Sequence, residues 1–355
     1  MPTIAKGDKI LVSGANGYIP IWIVRTLLER GYAVRGTVRG TSKGEYLKNY
    51  FNTLGYGDRF EYVIVEDIAN EGAFDEAVRD VDGIAHAASP FHDKAKTPEE
   101  MFVPAIQGTV GMLQSALKNG TKVKRIVVTS SCAAVMSPPL VPTTFTEKDW
   151  NTQSPKEVEE QGNNTAPLTI YRASKTLAEQ SAWAFYEKHK SEVKWDLTVI
   201  NPPFASFENI VFGPFIHEAS SLEDLNTSLL MWWKAVEGTP KTKEFLSICL
   251  AWVDVRDTSL AHVLALETEA AGGERIITAS GSNIWQEWVD AINSINPSPL
   301  PSHTFTAGVP EITAGEVTYL VTYDTKKEKE LFGIKFHTQL ETAKDTLEDF
   351  AKRGW

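Results

Sequence analysis

Short apolar runs alternate with longer stretches whose apolar residues recur every three to four positions. Lys9–Ser13 is an apolar run closed by Gly14 and predicts a buried strand. Across Tyr18–Arg30, Ile19, Ile23, Val24, Leu27 and Leu28 keep helical spacing, and Gly31 supplies the stop. The alternation predicts further strands over Ala33–Val38, Arg59–Val65, Gly83–Ala88 and Lys124–Ser130. Between them it predicts helices over Thr41–Leu54, Glu71–Arg79 and Pro98–Asn119. Strands separated by helices form right-handed βαβ units, so the fold class is α/β, a doubly wound parallel sheet with helices on both faces.

After Ser131 the rhythm changes. Residues 138–167 are rich in Pro, Thr, Asn and acidic side chains and read as loop, before a long helix over Leu168–Lys190 and a strand over Trp195–Ile200. Beyond Asn201, Leu222–Val236, Thr258–Thr268 and Ile284–Ile295 read as helical and Trp252–Val255 as a strand. The division expected is a Rossmann dinucleotide-binding portion, 1–200, and a smaller, mainly substrate-binding portion, 201–355, with some segments returning to the Rossmann core.

Composition narrows the classes. The 42% hydrophobic and 23% charged residues of this 355-residue chain are ordinary globular usage and exclude a disordered chain. The formal charge of −11 lacks the basic footprint a nucleic acid requires. No apolar stretch is long enough to span a membrane, and the N-terminal residues carry no apolar core of a secretory signal. With two cysteines, Cys132 and Cys249, no disulfide framework is expected, and the reading is a cytoplasmic, thiol-reduced protein. The histidines show no metal-binding spacing, so no metal is expected.

Candidate chemistry begins at the first strand–helix junction, Ser13-Gly14-Ala15-Asn16-Gly17-Tyr18-Ile19-Pro20. Gly14 lets the chain turn tightly, and Gly17 lets backbone amides approach a pyrophosphate at the helix N-terminus. Asn16, Tyr18 and Ile19 belong to the same cofactor-binding turn. The second strand ends in Val38-Arg39-Gly40-Thr41-Ser42-Lys43, where an NAD-binding chain would carry a carboxylate. Arg39 offers a guanidinium fork to a 2′-phosphate, with Lys43 beside it; the competing reading is a solvated surface arginine. Asp67, with Ile68 at the end of the third strand, can accept from the adenine amino group or serve as a plain turn residue.

A carbonyl reduced by hydride must also receive a proton, which a tyrosine can give when a cation lies close. Tyr-x-x-x-Lys puts both on one helix face, and it occurs at Tyr171/Lys175, Tyr186/Lys190 and Tyr323/Lys327. The first pair opens the helix before the sixth strand and follows Thr129-Ser130-Ser131. That triplet ends the fifth strand, at the edge where ligands bind in open α/β sheets.

In this order, SGANGYI, TVRG, VTSS, YRASKTLAEQSAW, VINP and WVDVRD resemble the extended short-chain dehydrogenases/reductases. Within them the chain is most similar to dihydroflavonol-4-reductase-like enzymes, including fungal carbonyl, aldehyde and methylglyoxal reductases. The resemblance implies Ser131 as the catalytic serine, Tyr171 as proton donor, and Lys175 as its partner and holder of the nicotinamide ribose. It implies Arg39 for 2′-phosphate selectivity, Ala88 and Ser89 near the cofactor ribose, and Pro202 beside the nicotinamide. The cofactor implied is NADPH/NADP, the substrate a small carbonyl compound, and the assembly a monomer or homodimer. Pro20 departs from the family's usual Gly or Ala, and Phe204–Ile210 are an apparent insertion. Phe91, Val135, Phe204, Phe207 and Trp232 are expected to wall an apolar substrate cleft. Rival readings are a sugar-nucleotide epimerase or dehydratase and a non-catalytic NADP-binding regulator.

Overall fold

The computed structural model describes residues 3–89, 97–203 and 209–355. The first part runs β1 (Lys9–Ser13), α1 (Tyr18–Glu29), β2 (Ala33–Val38), α2 (Thr41–Thr53), β3 (Phe60–Ile64) and β4 (Gly83–His86). It continues α3 (Pro98–Asn119), β5 (Arg125–Thr129), β6 (Thr143–Phe145), α4 (Gln153–Gln161), α5 (Pro167–His189) and β7 (Asp196–Asn201). Then follow β8 (Asn209–Phe212), α6 (Thr227–Val236), α7 (Lys243–Leu246), β9 (Cys249–Asp254), α8 (Val255–Glu267) and β10 (Arg275–Ile277). The chain ends with β11 (Gly281–Ile284), α9 (Trp285–Asn293), β12 (Val321–Tyr323), α10 (Lys326–Leu331) and α11 (Gln339–Arg353). No helix among the described residues is long and apolar enough to cross a membrane.

Seven parallel strands form the main sheet in the order β10-β7-β5-β4-β1-β2-β3. Both faces are covered, which is why the strands read as continuous apolar runs. Ile10 and Val12 pack toward α1, while Leu11 joins Ile84, Ile126 and Val128 in the opposite core with Leu113 of α3. α3 and α5 pack together, as do α1 and α8. β10 comes from residues after 201 and completes the main sheet beside β7. A second sheet, β11-β9-β8, packs with α6 and α9 around Phe212, Trp232, Trp252 and Trp288.

Residues 71–79 and 138–167 differ from expectation. Residues 71–79 form successive turns and no helix: Asp75 N–H bonds Gly72 O, and Gly72 takes a left-handed φ of +71°. Within 138–167, β6 pairs with β12, and α4 buries Val158 beside Ile170. Val158 is the one apolar side chain in α4, so periodicity is silent there.

The edge of the sheet remote from the strand C-termini is locked by an ion pair. Arg125 Nε and Nη2 lie 2.6 and 2.8 Å from the Asp196 carboxylate, with the guanidinium fully buried. Arg125 Nη1 also donates to the carbonyls of Ala265 and Thr268. Removing one partner leaves a buried charge, so Asp196→Ala is expected to cost about 3–5 kcal/mol in urea unfolding.

Candidate active site

The C-terminal ends of the parallel strands open into a cleft of about 400 Å³. Its floor is the first strand–helix turn. Gly14 has φ +65°, and a Cβ there would sit 3.2 Å from Ala88, so turn and neighbouring strand approach closely only through glycine. Gly17 N–H bonds Gly14 O at 2.9 Å, and α1 begins at Tyr18. The backbone N–H groups of Tyr18 and Ile19 have no intrahelical acceptor, so this helix end favours an anion. Pro20 sits in the same first turn, where its missing N–H costs nothing. The Tyr18 hydroxyl donates to Gly213 O at 2.9 Å and Trp22 Nε1 to Pro214 O at 3.0 Å, clamping α1 to the turn after β8.

Gly14, Asn16, Gly17, Tyr18, Ile19, Arg39, Ile68, Ala88, Ser89 and Lys175 all line the cleft. Arg39 is exposed at the end of β2, and its guanidinium has no partner among the described residues. Among the described residues its walls hold two cations, Arg39 and Lys175, and no carboxylate.

Lys43, Asp67 and Pro202 do not line this cleft and have protein partners. Lys43 Nζ pairs with Glu218 at 2.7 Å and does not line the cleft. Asp67 Oδ1 accepts from the N–H of Ala69 at 2.9 Å, a turn contact, and Val65 and Ile68 form the wall there. Pro202 is buried and its carbonyl accepts from Cys132 N–H at 2.9 Å, tying the ends of β5 and β7 together.

Ser131, Tyr171 and Lys175 are brought together. Ser131 follows β5, is fully buried, and accepts from Ala133 N–H at 3.0 Å. Its side chain also hydrogen-bonds Tyr171. Tyr171 and Lys175 are one turn apart near the start of α5, and Lys175 Nζ lies 5.8 Å from the tyrosine ring centre. The ammonium donates to Ser89 Oγ at 2.9 Å. Burial raises the Tyr171 hydroxyl above its ordinary pKa, against the lowering effect of the Ser131 hydrogen bond, so at neutral pH it carries its proton. Burial lowers Lys175 to about 8. The other two Tyr-x-x-x-Lys pairs stand apart: Tyr186 stacks on Trp195, with Lys190 paired to Glu187, and Lys327 pairs with Glu274.

Of the expected substrate walls, Phe91, Phe204 and Phe207 lie outside the described residues. Val135 and Trp232 are core residues. Val135 is fully buried with Met136, Phe145 and Ile277, and Trp232 is 1% exposed, edge-on to Trp288 and Phe350. Phe212 is likewise packed between Trp285 and Trp288.

The cleft is also walled by Thr37, Thr129, Ser130 and the start of α6, Asn226-Thr227-Ser228, to which the sequence reading gave no cofactor role. Ser228 Oγ and Asn226 Oδ1 are buried there without a partner among the described residues. A signal was available. Asn followed by Thr-Ser is a helix-start composition, and it places the start of α6 five residues after the predicted Leu222.

The chain matches the model of the NAD dependent epimerase/dehydratase family over residues 10–279. It is similar to the ketoreductase azaE of Aspergillus niger, 36% identical over 352 residues that cover 95% of each chain. It is 32% identical to the NADPH-dependent methylglyoxal reductase GRE2 of Saccharomyces cerevisiae over 352 residues, 97% of this chain and 98% of the relative. The crystal structure of Gre2 from Candida albicans in complex with NADPH superimposes with a TM-score of 0.84 at 31% identity, covering 98% of this chain and 100% of that one. A seven-stranded parallel sheet, a glycine turn at its first strand–helix junction and these matches have one reading: the chain belongs to the NAD dependent epimerase/dehydratase family, the extended short-chain dehydrogenases/reductases.

Proposed function

We infer that the chain is an NADPH-dependent carbonyl reductase that converts a ketone or aldehyde to an alcohol. The observation that carries this is a cleft walled by Arg39, Lys175 and a free helix N-terminus, with no carboxylate among its described residues, adjoining a hydrogen-bonded Ser131–Tyr171 pair. Such a cleft suits a dinucleotide with an extra phosphate. Relatives over the full chain length are named as NADPH-dependent reductases and ketoreductases, which supports the same reading.

The residues present fit the cofactor. The Gly14–Ile19 turn takes the pyrophosphate, Arg39 the 2′-phosphate, and Ser89 and Lys175 the ribose beside the reacting end. Ser228 Oγ, unpartnered in the wall, offers a further hydroxyl to a cofactor oxygen. NADPH supplies the hydride for the carbonyl carbon. Ser131 donates to the carbonyl oxygen and fixes it beside Tyr171. Tyr171 gives that oxygen its proton as negative charge develops there. The Lys175 ammonium, near the tyrosine ring, stabilises the tyrosinate left behind.

The direct test is NADPH oxidation across aldehydes, α-keto esters and aryl ketones, with the alcohol product quantified. One alcohol per NADPH consumed is expected; no turnover with any carbonyl class would overturn the reading. A pH dependence follows from Lys175. Its charged form is the useful one and is lost as pH rises through about 8. At saturating NADPH, kcat/KM should therefore be level below that pH and fall roughly tenfold per unit above it. A profile flat to about pH 9.5 would remove Lys175 from this role.

A further inference from the structure

On the face of α5 that carries Tyr171 and Lys175, the next position is Glu179, which the reaction as described does not use. It is 1% exposed, and its carboxylate is saturated with donors. Oε2 accepts from Ser130 Oγ at 2.6 Å and from Asn201 Nδ2 at 2.8 Å. Oε1 accepts from Arg275 Nε at 2.5 Å and Trp183 Nε1 at 3.3 Å. Asn201 Nδ2 also donates to the carbonyl of Ser131 at 3.2 Å. Arg275 is held in turn: its Nη1 donates to the carbonyls of Glu147 and Asp149, and its guanidinium lies 3.7 Å over the Trp150 ring. One carboxylate thus joins the helix bearing the tyrosine to the strand end bearing the serine, and anchors both to β7 and β10.

A buried ion pair is an inefficient source of stability, because desolvation offsets most of its attraction. What this pair does contribute is register. Ser131 comes from a strand end and Tyr171 from a helix, and nothing in either element fixes the distance between them. Catalysis depends on that distance, since a misplacement of about 1 Å can cost about 100-fold in rate. We propose that Glu179 is a positioning residue for the reductase: through Ser130 and Asn201 it holds Ser131 at the place where its hydroxyl and that of Tyr171 meet the same carbonyl oxygen. This rests on the roles given above to Ser131 and Tyr171.

The test is a set of double-mutant cycles. Asn201→Ala keeps the Glu179–Arg275 pair and cuts one of its two links to Ser131, and Asn201→Ala/Ser130→Ala cuts both. Glu179→Gln/Arg275→Gln removes the carboxylate without stranding the guanidinium. Each is made alone and on a Ser131→Ala background. Turnover is measured with NADPH and with NADPH deuterated at the transferred position, NADPH affinity by fluorescence titration, and folding by thermal unfolding.

On the Ser131-containing background, kcat should fall about 10- to 100-fold, with a full isotope effect and NADPH affinity within about threefold of the parent. On the Ser131→Ala background the same changes should cost less than about twofold more. Asp196→Asn, which breaks the other buried ion pair at the far sheet edge, should lower the unfolding temperature and leave turnover of the folded protein unchanged. Equal losses on both backgrounds, or a loss confined to NADPH affinity or thermal stability, would overturn the role of Glu179. If Glu179→Gln/Arg275→Gln does not fold, the Asn201→Ala/Ser130→Ala cycle decides alone. Parental turnover in Ser131→Ala would instead overturn the role of Ser131, and the proposal with it.

Discussion

Tyr171→Phe is expected to reduce turnover by about 10²–10⁴-fold, the usual contribution of a positioned general acid, while NADPH still binds. The ring is buried at 3% exposure, and phenylalanine fills the same space, so the change removes the hydroxyl and little else. Ser131 loses its hydrogen-bond partner but keeps the one from Ala133 N–H, so the end of β5 stays in place. Steady-state NADPH oxidation gives the rate, and a fluorescence titration gives the cofactor affinity. Tyr186→Phe and Tyr323→Phe serve as controls and should turn over at the parental rate. Tyr186 packs on Trp195, and Tyr323 packs against Phe145 at the small β6–β12 sheet. A Tyr171→Phe protein within tenfold of the parent would remove this tyrosine from the chemistry.

The second large effect is expected at Arg39. NADPH should be preferred to NADH, and Arg39→Asp should weaken the use of NADPH by about 10- to 150-fold, the equivalent of losing one charge-assisted contact of ~1.5–3 kcal/mol. The side chain is exposed and makes no ion pair with described residues, so its removal leaves no buried charge and little change in stability is expected. The carboxylate introduced would repel a 2′-phosphate and can accept from the ribose hydroxyls of NADH, so kcat/KM for NADH should rise. Comparing kcat/KM for both cofactors at one ionic strength measures the switch. Equal use of both cofactors by the parent would remove Arg39 from selectivity.

Much of the fold was legible because its signals are local. Gly14, Gly17 and the apolar spacing after Tyr18 each read within a few positions of themselves, and β1, α1 and β2 stand within a residue of where that spacing puts them. The misses have local causes too. Gln153–Gln161 offers one apolar residue to a periodicity that needs several, and Glu71–Arg79 carries Gly72 in a conformation no helix uses. The partners that Lys43 and Asp67 take, Glu218 and the Ala69 amide, are set by the fold rather than by charge at a strand end. Glu218 is 175 positions away from Lys43, beyond any local signal.

By itself the sequence determined the alternating α/β plan, the cofactor turn and the absence of a carboxylate after Val38. These depend on residue type at fixed spacing along one strand–turn–helix. Three tyrosine–lysine pairs share one spacing, and it takes the tertiary fold, with α5 packed on the turn Cys132–Ala134 that follows β5, to set Tyr171 beside Ser131. Apolar identity likewise could not separate a pocket wall from the core. Val135 and Trp232 satisfy the same hydrophobic demand in either place, and the tertiary structure put both inside. The start of α6 entered the cofactor cleft for the same reason: the turn after β8 is clamped to α1 by Tyr18 and Trp22, and that long-range contact carries Ser228 to the cleft wall.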